Sequence, residues 1–138
     1  MIAIIRIKGL VNVKGDIEET LYRLRLRKKY SCVLIKDKDK TLLEAIKNKI
    51  AFGEINNETL IMLLSKRGRR IGDKPISESA DIMAKKIEEG KSLDELKIKP
   101  FFRLQPPRGG FKKSTKLLYP RGVLGENKDI NELVRRML

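Results

Sequence analysis

Apolar residues recur at two periods along this chain, and the changes between them mark out its elements. Ile2, Ile4, Ile5 and Ile7 form a short β-branched run, which predicts a strand over 2–8 buried on at least one face. Gly9 and Gly15 bracket a loop. Ile17, Leu21 and Leu24 then fall at helical spacing, one stripe facing a core. Asp16, with Glu19 three residues on, reads as the capping pair that opens this helix. Ser31 to Ile35 predicts a second strand. Thr41 and Glu44 repeat the capping pattern ahead of Leu42, Leu43 and Ile46. Ile50 to Ile55 predicts a third strand, with Gly53 weakening its middle. The order β-α-β-α-β over residues 1–55 predicts an α+β fold, a small three-stranded sheet with two helices on one face.

Beyond residue 55 the period turns helical. Asn57 is expected to open a helix bearing Leu60, Ile61, Leu63 and Leu64. Pro75 and Ser77 open another, with Ala80, Met83, Ala84 and Ile87 on one side and Gly90 as terminator. Ser92 and Glu95 make a short capped turn. The chain therefore divides into a core over 1–55, a helical extension over 56–99 and a basic Pro/Gly-rich segment with a last helix over 100–138, all within a single domain. Asp129 and Glu132 cap that last helix, which carries Ile130, Leu133, Val134 and Met137. Phe101 and Phe102 predict the start of a short strand docked on the core. The remainder of the basic segment, broken by Pro and Gly, is expected to be irregular.

Charge changes this picture from a fold to a function class. The chain has 138 residues, 32 basic and 18 acidic, with a formal net charge of +14. Residues 100–138 are the most positive part, with 9 basic and 3 acidic residues. From Phe101 to Gly125 there is no Asp or Glu, against six cations. An uncompensated charge of this size normally meets a polyanion. With no His and a single Cys, neither a Ser-His-Asp nor a Cys-His mechanism can be assembled within the chain, and a thiolate zinc site is excluded. Cys32, in YSCVLI, reads as a small buried hydrophobe compatible with a reducing cytosol. No run of about 18 apolar residues predicts a membrane span. Neither a GxxxxGK[ST] loop nor a GxGxxG after a strand occurs, so a nucleotide cofactor is not expected.

The candidate RNA-binding residues fall in three groups. Arg25, Arg27, Lys28 and Lys29 follow the first helix, where cations also suit the helix dipole. Lys66, Arg67, Arg69 and Arg70 follow the third. Arg103, Arg108, Lys112, Lys113, Lys116 and Arg121 lie in the acid-free segment, where Gly109 and Gly110 allow a backbone to approach a phosphate closely. Arg forks its donors onto phosphate oxygens and Lys acts as a point charge. Aromatic content of 5% argues against a stacking platform for single strands, so binding folded RNA by shape and backbone charge fits better. A stand-alone regulatory RNA-binding protein and a nucleic-acid-processing enzyme are the alternatives; the second lacks spaced carboxylates.

These blocks, in this order, resemble the archaeal and eukaryotic branch of the universal large-ribosomal-subunit protein L-thirty family, L-seven in eukaryotes. IRIKGLVNVKGDIEETL resembles the family's first strand, loop and helix. IAFGEI is similar to the strand that closes its core, and RLQPPRGGFKKSTKLLYPRGVLG to the extension that the bacterial form lacks. Gln105 stands where the family pattern leads one to expect His. The resemblance implies a fold ferredoxin-like in part and a non-enzymatic constituent of the cytoplasmic ribosome. Its implied partners are large-subunit ribosomal RNA and neighbouring ribosomal proteins, with no cofactor, membrane or small-molecule substrate. It places Arg103, Arg108, Gly109, Gly110, Lys112 and Lys113 in an RNA-facing extension.

Overall fold

The apolar run at the amino terminus forms a strand covered on both faces. In the computed structural model, which describes residues 2–9, 14–35, 40–69, 80–90, 101–111 and 113–138, β1 (Ile2–Arg6) is buried along its whole length. It pairs antiparallel with β2 (Ser31–Ile35) on one side and β3 (Ile50–Glu54) on the other. Ile4 lies opposite Val33 and Phe52, and Ile5 opposite Cys32 and Ala51.

Side chains alternate across a strand, so these pairs serve two separate cores. Ile2, Ile4, Val33, Ile50 and Phe52 pack with Leu21 of α1 (Gly15–Arg23) and with Leu43 and Ile46 of α2 (Lys40–Ile46). Ala3, Ile5, Cys32 and Ala51 pack on the opposite side. There they meet α3 (Asn57–Arg67), α4 (Ala80–Glu88) and α5 (Ile130–Met137) through Leu60, Leu63, Met83, Ile87, Ile130 and Val134. The α+β core with two helices on one face is therefore present, and the later helices cover the other face.

The sheet is wider than the pattern predicts. It has six strands in the order β4-β2-β1-β3-β6-β5, with β4 at Phe102–Arg103, β5 at Ser114–Leu118 and β6 at Gly122–Glu126. The three additional strands come from the acid-free segment, most of which was expected to be irregular. β6 joins β3 in parallel, Ala51 opposite Gly125, and the Asn127 amide donates to Phe52 O at 2.7 Å. Pairing with a distant strand, not local periodicity, orders GVLGE. The predicted strand start at Phe102 forms as β4, antiparallel to β2.

Helix starts also differ from expectation. Lys14, not Asp16, is the N-cap of α1, and Asp16 sits in its first turn. α2 begins at Lys40, so Thr41 lies inside it. α3 does begin at Asn57 as expected, with Asn56 as its N-cap, the Asn56 side chain accepting the Thr59 amide at 2.9 Å. Asp129 precedes α5 but makes no side-chain cap; its carboxylate faces Lys113 and Tyr119 instead. Gly90 ends α4 in the left-handed region as expected. The Pro75–Ser77 start and the Ser92–Glu95 turn lie outside the described residues, among which no helix is long and apolar enough to cross a membrane.

Candidate nucleic-acid interface

The turn between α1 and β2 is built to hold cations outward. Arg25 and Tyr30 have left-handed φ of 64° and 67°. Such a conformation costs a residue bearing a Cβ about 1–2 kcal/mol. The Arg25 amide donates to Tyr22 O at 3.0 Å and the Leu26 amide to Leu21 O at 2.9 Å, a paired helix ending that ordinarily places Gly at this position. Leu26 then turns fully into the core, while Arg25, Arg27, Lys28 and Lys29 remain exposed. Arg27 stacks on the exposed Tyr22 ring at 4.2 Å, and Lys29 lies 5.1 Å from the Tyr30 ring.

Behind this turn sits Arg6, only 1% exposed. Its guanidinium donates to Leu26 O at 2.6 Å, Lys8 O at 3.0 Å and Gly9 O at 3.4 Å. Burial lowers its pKa from the usual arginine range, and the charge of Glu18 acts in the opposite direction. The Arg6 carbonyl accepts the Tyr30 amide at 2.7 Å.

The acid-free segment starts beside that turn. Arg103 lies opposite Ser31, exposed and 5.9 Å from the Phe101 ring. The Leu104 amide donates to Tyr30 O at 3.1 Å, and Phe111 approaches the Tyr30 ring, with centroids 6.3 Å apart. Residues 105–110 then cross the end of α5. The amides of Gln105 and Arg108 donate to Met137 O and Arg136 O, and the Arg108 guanidinium reaches Arg135 O at 3.4 Å. Gly109 and Gly110, with φ of 76° and 77°, make the turn that lets the Arg136 guanidinium donate to the carbonyls of Arg108, at 2.8 Å, and Gly110.

The remaining cations occupy the other edge of the sheet. Lys116 is exposed on β5 and Arg121 on the turn to β6. Lys113 is 3.6 Å from Asp129 and 4.6 Å from the Tyr119 ring, so part of its charge is answered within the chain. Five strand spacings of about 4.8 Å separate β4 from β5, roughly 24 Å, well beyond the ~8 Å screening length at physiological salt. Arg103 thus lies at one edge of the sheet and Lys116 at the other, while Lys113 shares one cavity with Phe111 and Arg136. Lys66, Arg67 and Arg69 gather at the end of α3, the Arg69 guanidinium donating to Gly68 O at 3.0 Å. Arg70 and Lys112 lie outside the described residues. No group of three or more His, Cys, Asp or Glu side chains that could hold a metal gathers among the described residues.

A chain-wide comparison decides the relationship. Residues 2–47, which span β1 through α2, match the family described as Ribosomal protein L30p/L7e. A protein of Staphylothermus marinus named large ribosomal subunit protein uL30 is 45% identical, the match covering 99% of this chain and 97% of that one. Proteins of the same name from Archaeoglobus fulgidus and Aeropyrum pernix are 43% and 41% identical, each over 99% of this chain. The chain belongs to the uL30 family. The uL30 relationship extends through the acid-free segment as well as the β-α-β-α core.

In this uL30 chain, three side chains that shape the basic surfaces escape a reading of the sequence. Arg6 is embedded in IAIIRI, where the strand pattern marks only burial. Arg136 reads as one more cation at a helix end, yet its donors are directed to the 108–110 turn. Tyr22 sits at an exposed position of α1, and only the fold brings Arg27 onto its ring. An Arg inside an apolar β-branched run is the one signal that could have marked Arg6.

Proposed function

We propose that this protein is a structural constituent of the large ribosomal subunit, located on the cytoplasmic ribosome, where it binds and stabilises folded ribosomal RNA without catalysis or a cofactor. The supporting observation is its near-full-length similarity to proteins named as large-subunit components. The physical basis is the net +14 charge with its exposed cations on a rigid sheet. Arg25, Arg27, Lys28, Lys29 and Arg103 would neutralise phosphates along the β4 edge, and Lys116 and Arg121 along the β5 edge. Lys66, Arg67 and Arg69 would add a third contact at the end of α3, and Arg70 and Lys112 are further candidates from the sequence alone. Arg108 and Lys113 would share their donors between RNA and their intramolecular partners, and Gly109 and Gly110 would let backbone approach phosphate. Neighbouring ribosomal proteins complete the expected surroundings.

A titration of binding to large-subunit ribosomal RNA against salt tests this reading. About six phosphate contacts predict a log–log slope near −4 to −5. A slope near zero would remove the electrostatic mechanism.

A further inference from the structure

We infer that the α1–β2 turn is a preformed RNA-docking surface and that Arg6, buried behind it, is its positioning residue. The inference rests on the ribosomal RNA reading above.

An arginine inside a strand of isoleucines is not needed for burial, and charged residues are rarely buried so completely. Arg6 is nonetheless only 1% exposed, and its guanidinium donates to the backbone carbonyls of Lys8, Gly9 and Leu26. These acceptors belong to two different connections, the one after β1 and the one after α1. A planar fork with five donors can reach several carbonyls at once; a lysine ammonium, a compact point charge, does so less well.

Two of the Arg6 contacts, its guanidinium on Leu26 O and its carbonyl under the Tyr30 amide, hold the α1–β2 turn, and the bonds to Lys8 O and Gly9 O tie it to the connection after β1. Leu26 is fixed twice, by its carbonyl on Arg6 and by its side chain in the core beside α2. Tyr30 is fixed by its amide on Arg6 O and its carbonyl on the Leu104 amide. The Ser31 amide closes onto Lys28 O at 3.2 Å. Between these fixed points Arg27, Lys28 and Lys29 are held exposed, as is Arg25 immediately before Leu26. The left-handed Arg25 shows that a cation occupies a position where Gly would be easier. Preorganised cations lose less freedom on binding than a mobile basic loop does.

The decisive experiment compares salt slopes for binding to in-vitro-transcribed large-subunit ribosomal RNA. Replacing Arg25, Arg27, Lys28 and Lys29 by Ala should flatten the slope by up to about 3, from roughly 0.7–0.9 per phosphate contact. Arg6→Met removes no surface cation, yet should flatten it comparably, and combining the two changes should add little. Arg6→Lys, which keeps the charge but loses the fork, should not restore the slope. An unchanged slope in Arg6→Met, with normal circular dichroism, overturns the positioning role. Should Arg6→Met fail to fold, a Gly inserted between Lys28 and Lys29 keeps every cation and disturbs only the turn. The inference then predicts at least tenfold weaker binding, and unaltered affinity overturns it. An unaltered protein with no salt-dependent binding would instead overturn the ribosomal reading, and this inference with it.

Discussion

Gly53 in β3 lies directly against Ile130 at the start of α5, with no room for a side chain between them. A Cβ on Gly53 would come within 2.8 Å of Ile130 Cγ2 and would also meet the Asn127 carbonyl. The same Asn127 pairs its amide with Phe52, so this contact seats both β6 and α5 on the central sheet. Gly53→Ala should therefore destabilise the protein by about 1–3 kcal/mol, the usual range for overpacking. Urea unfolding reads this directly, and an unchanged midpoint would mean that α5 can move aside freely.

Thr59 gives a change in the opposite direction. Its side chain is completely buried in α3, and its hydroxyl has no hydrogen-bond partner among the described residues. Thr59→Val keeps the shape and removes the unsatisfied group, so stability should rise by about 1 kcal/mol. A loss of stability in thermal unfolding would show that the hydroxyl is satisfied in solution.

Arg136 secures the glycine turn of the acid-free segment. Without its donors to the Arg108 and Gly110 carbonyls, the loop retains backbone bonds to α5 but loses its cross-brace. Arg136→Ala should cost about 1 kcal/mol and speed tryptic cleavage after Arg108 several-fold. Equal cleavage rates would show that the backbone bonds alone hold the turn.

Burial pushes the Cys32 thiol up to about 12. The folded state therefore holds its proton more tightly than the unfolded chain, where a thiol titrates near 8.5. The associated stability is complete below that value and is lost as pH rises towards about 12, at up to roughly 1.4 kcal/mol per pH unit. Urea unfolding of the wild type and of Cys32→Ala between pH 8 and 11 should show this extra decline only in the wild type. Identical pH profiles would contradict a buried thiol.

The central fold was legible because its strands obey simple rules. Ser31–Ile35 matches β2, and the β1 and β3 runs are right to within a residue or two, since burial on one or both faces imposes an apolar pattern. β5 and β6 were not legible. STKLL is an edge strand with Leu117 and Leu118 exposed, and GVLGE has glycines at two of its five positions. β6 is ordered by pairing with β3, far away in sequence, and β5 by pairing with β6. The basic residues were visible as charge, but not their division between two edges or the internal partners of Arg108 and Lys113. Those depend on which strand each residue joins.

The central claim, that this chain is an integral component of the large subunit, is tested most directly by sucrose-gradient sedimentation of ribosomes in moderate salt, with the protein followed by a specific antibody. The protein should migrate with the large subunit and remain there after the subunits are separated. Recovery at the top of the gradient, with the large subunit otherwise intact, would contradict it.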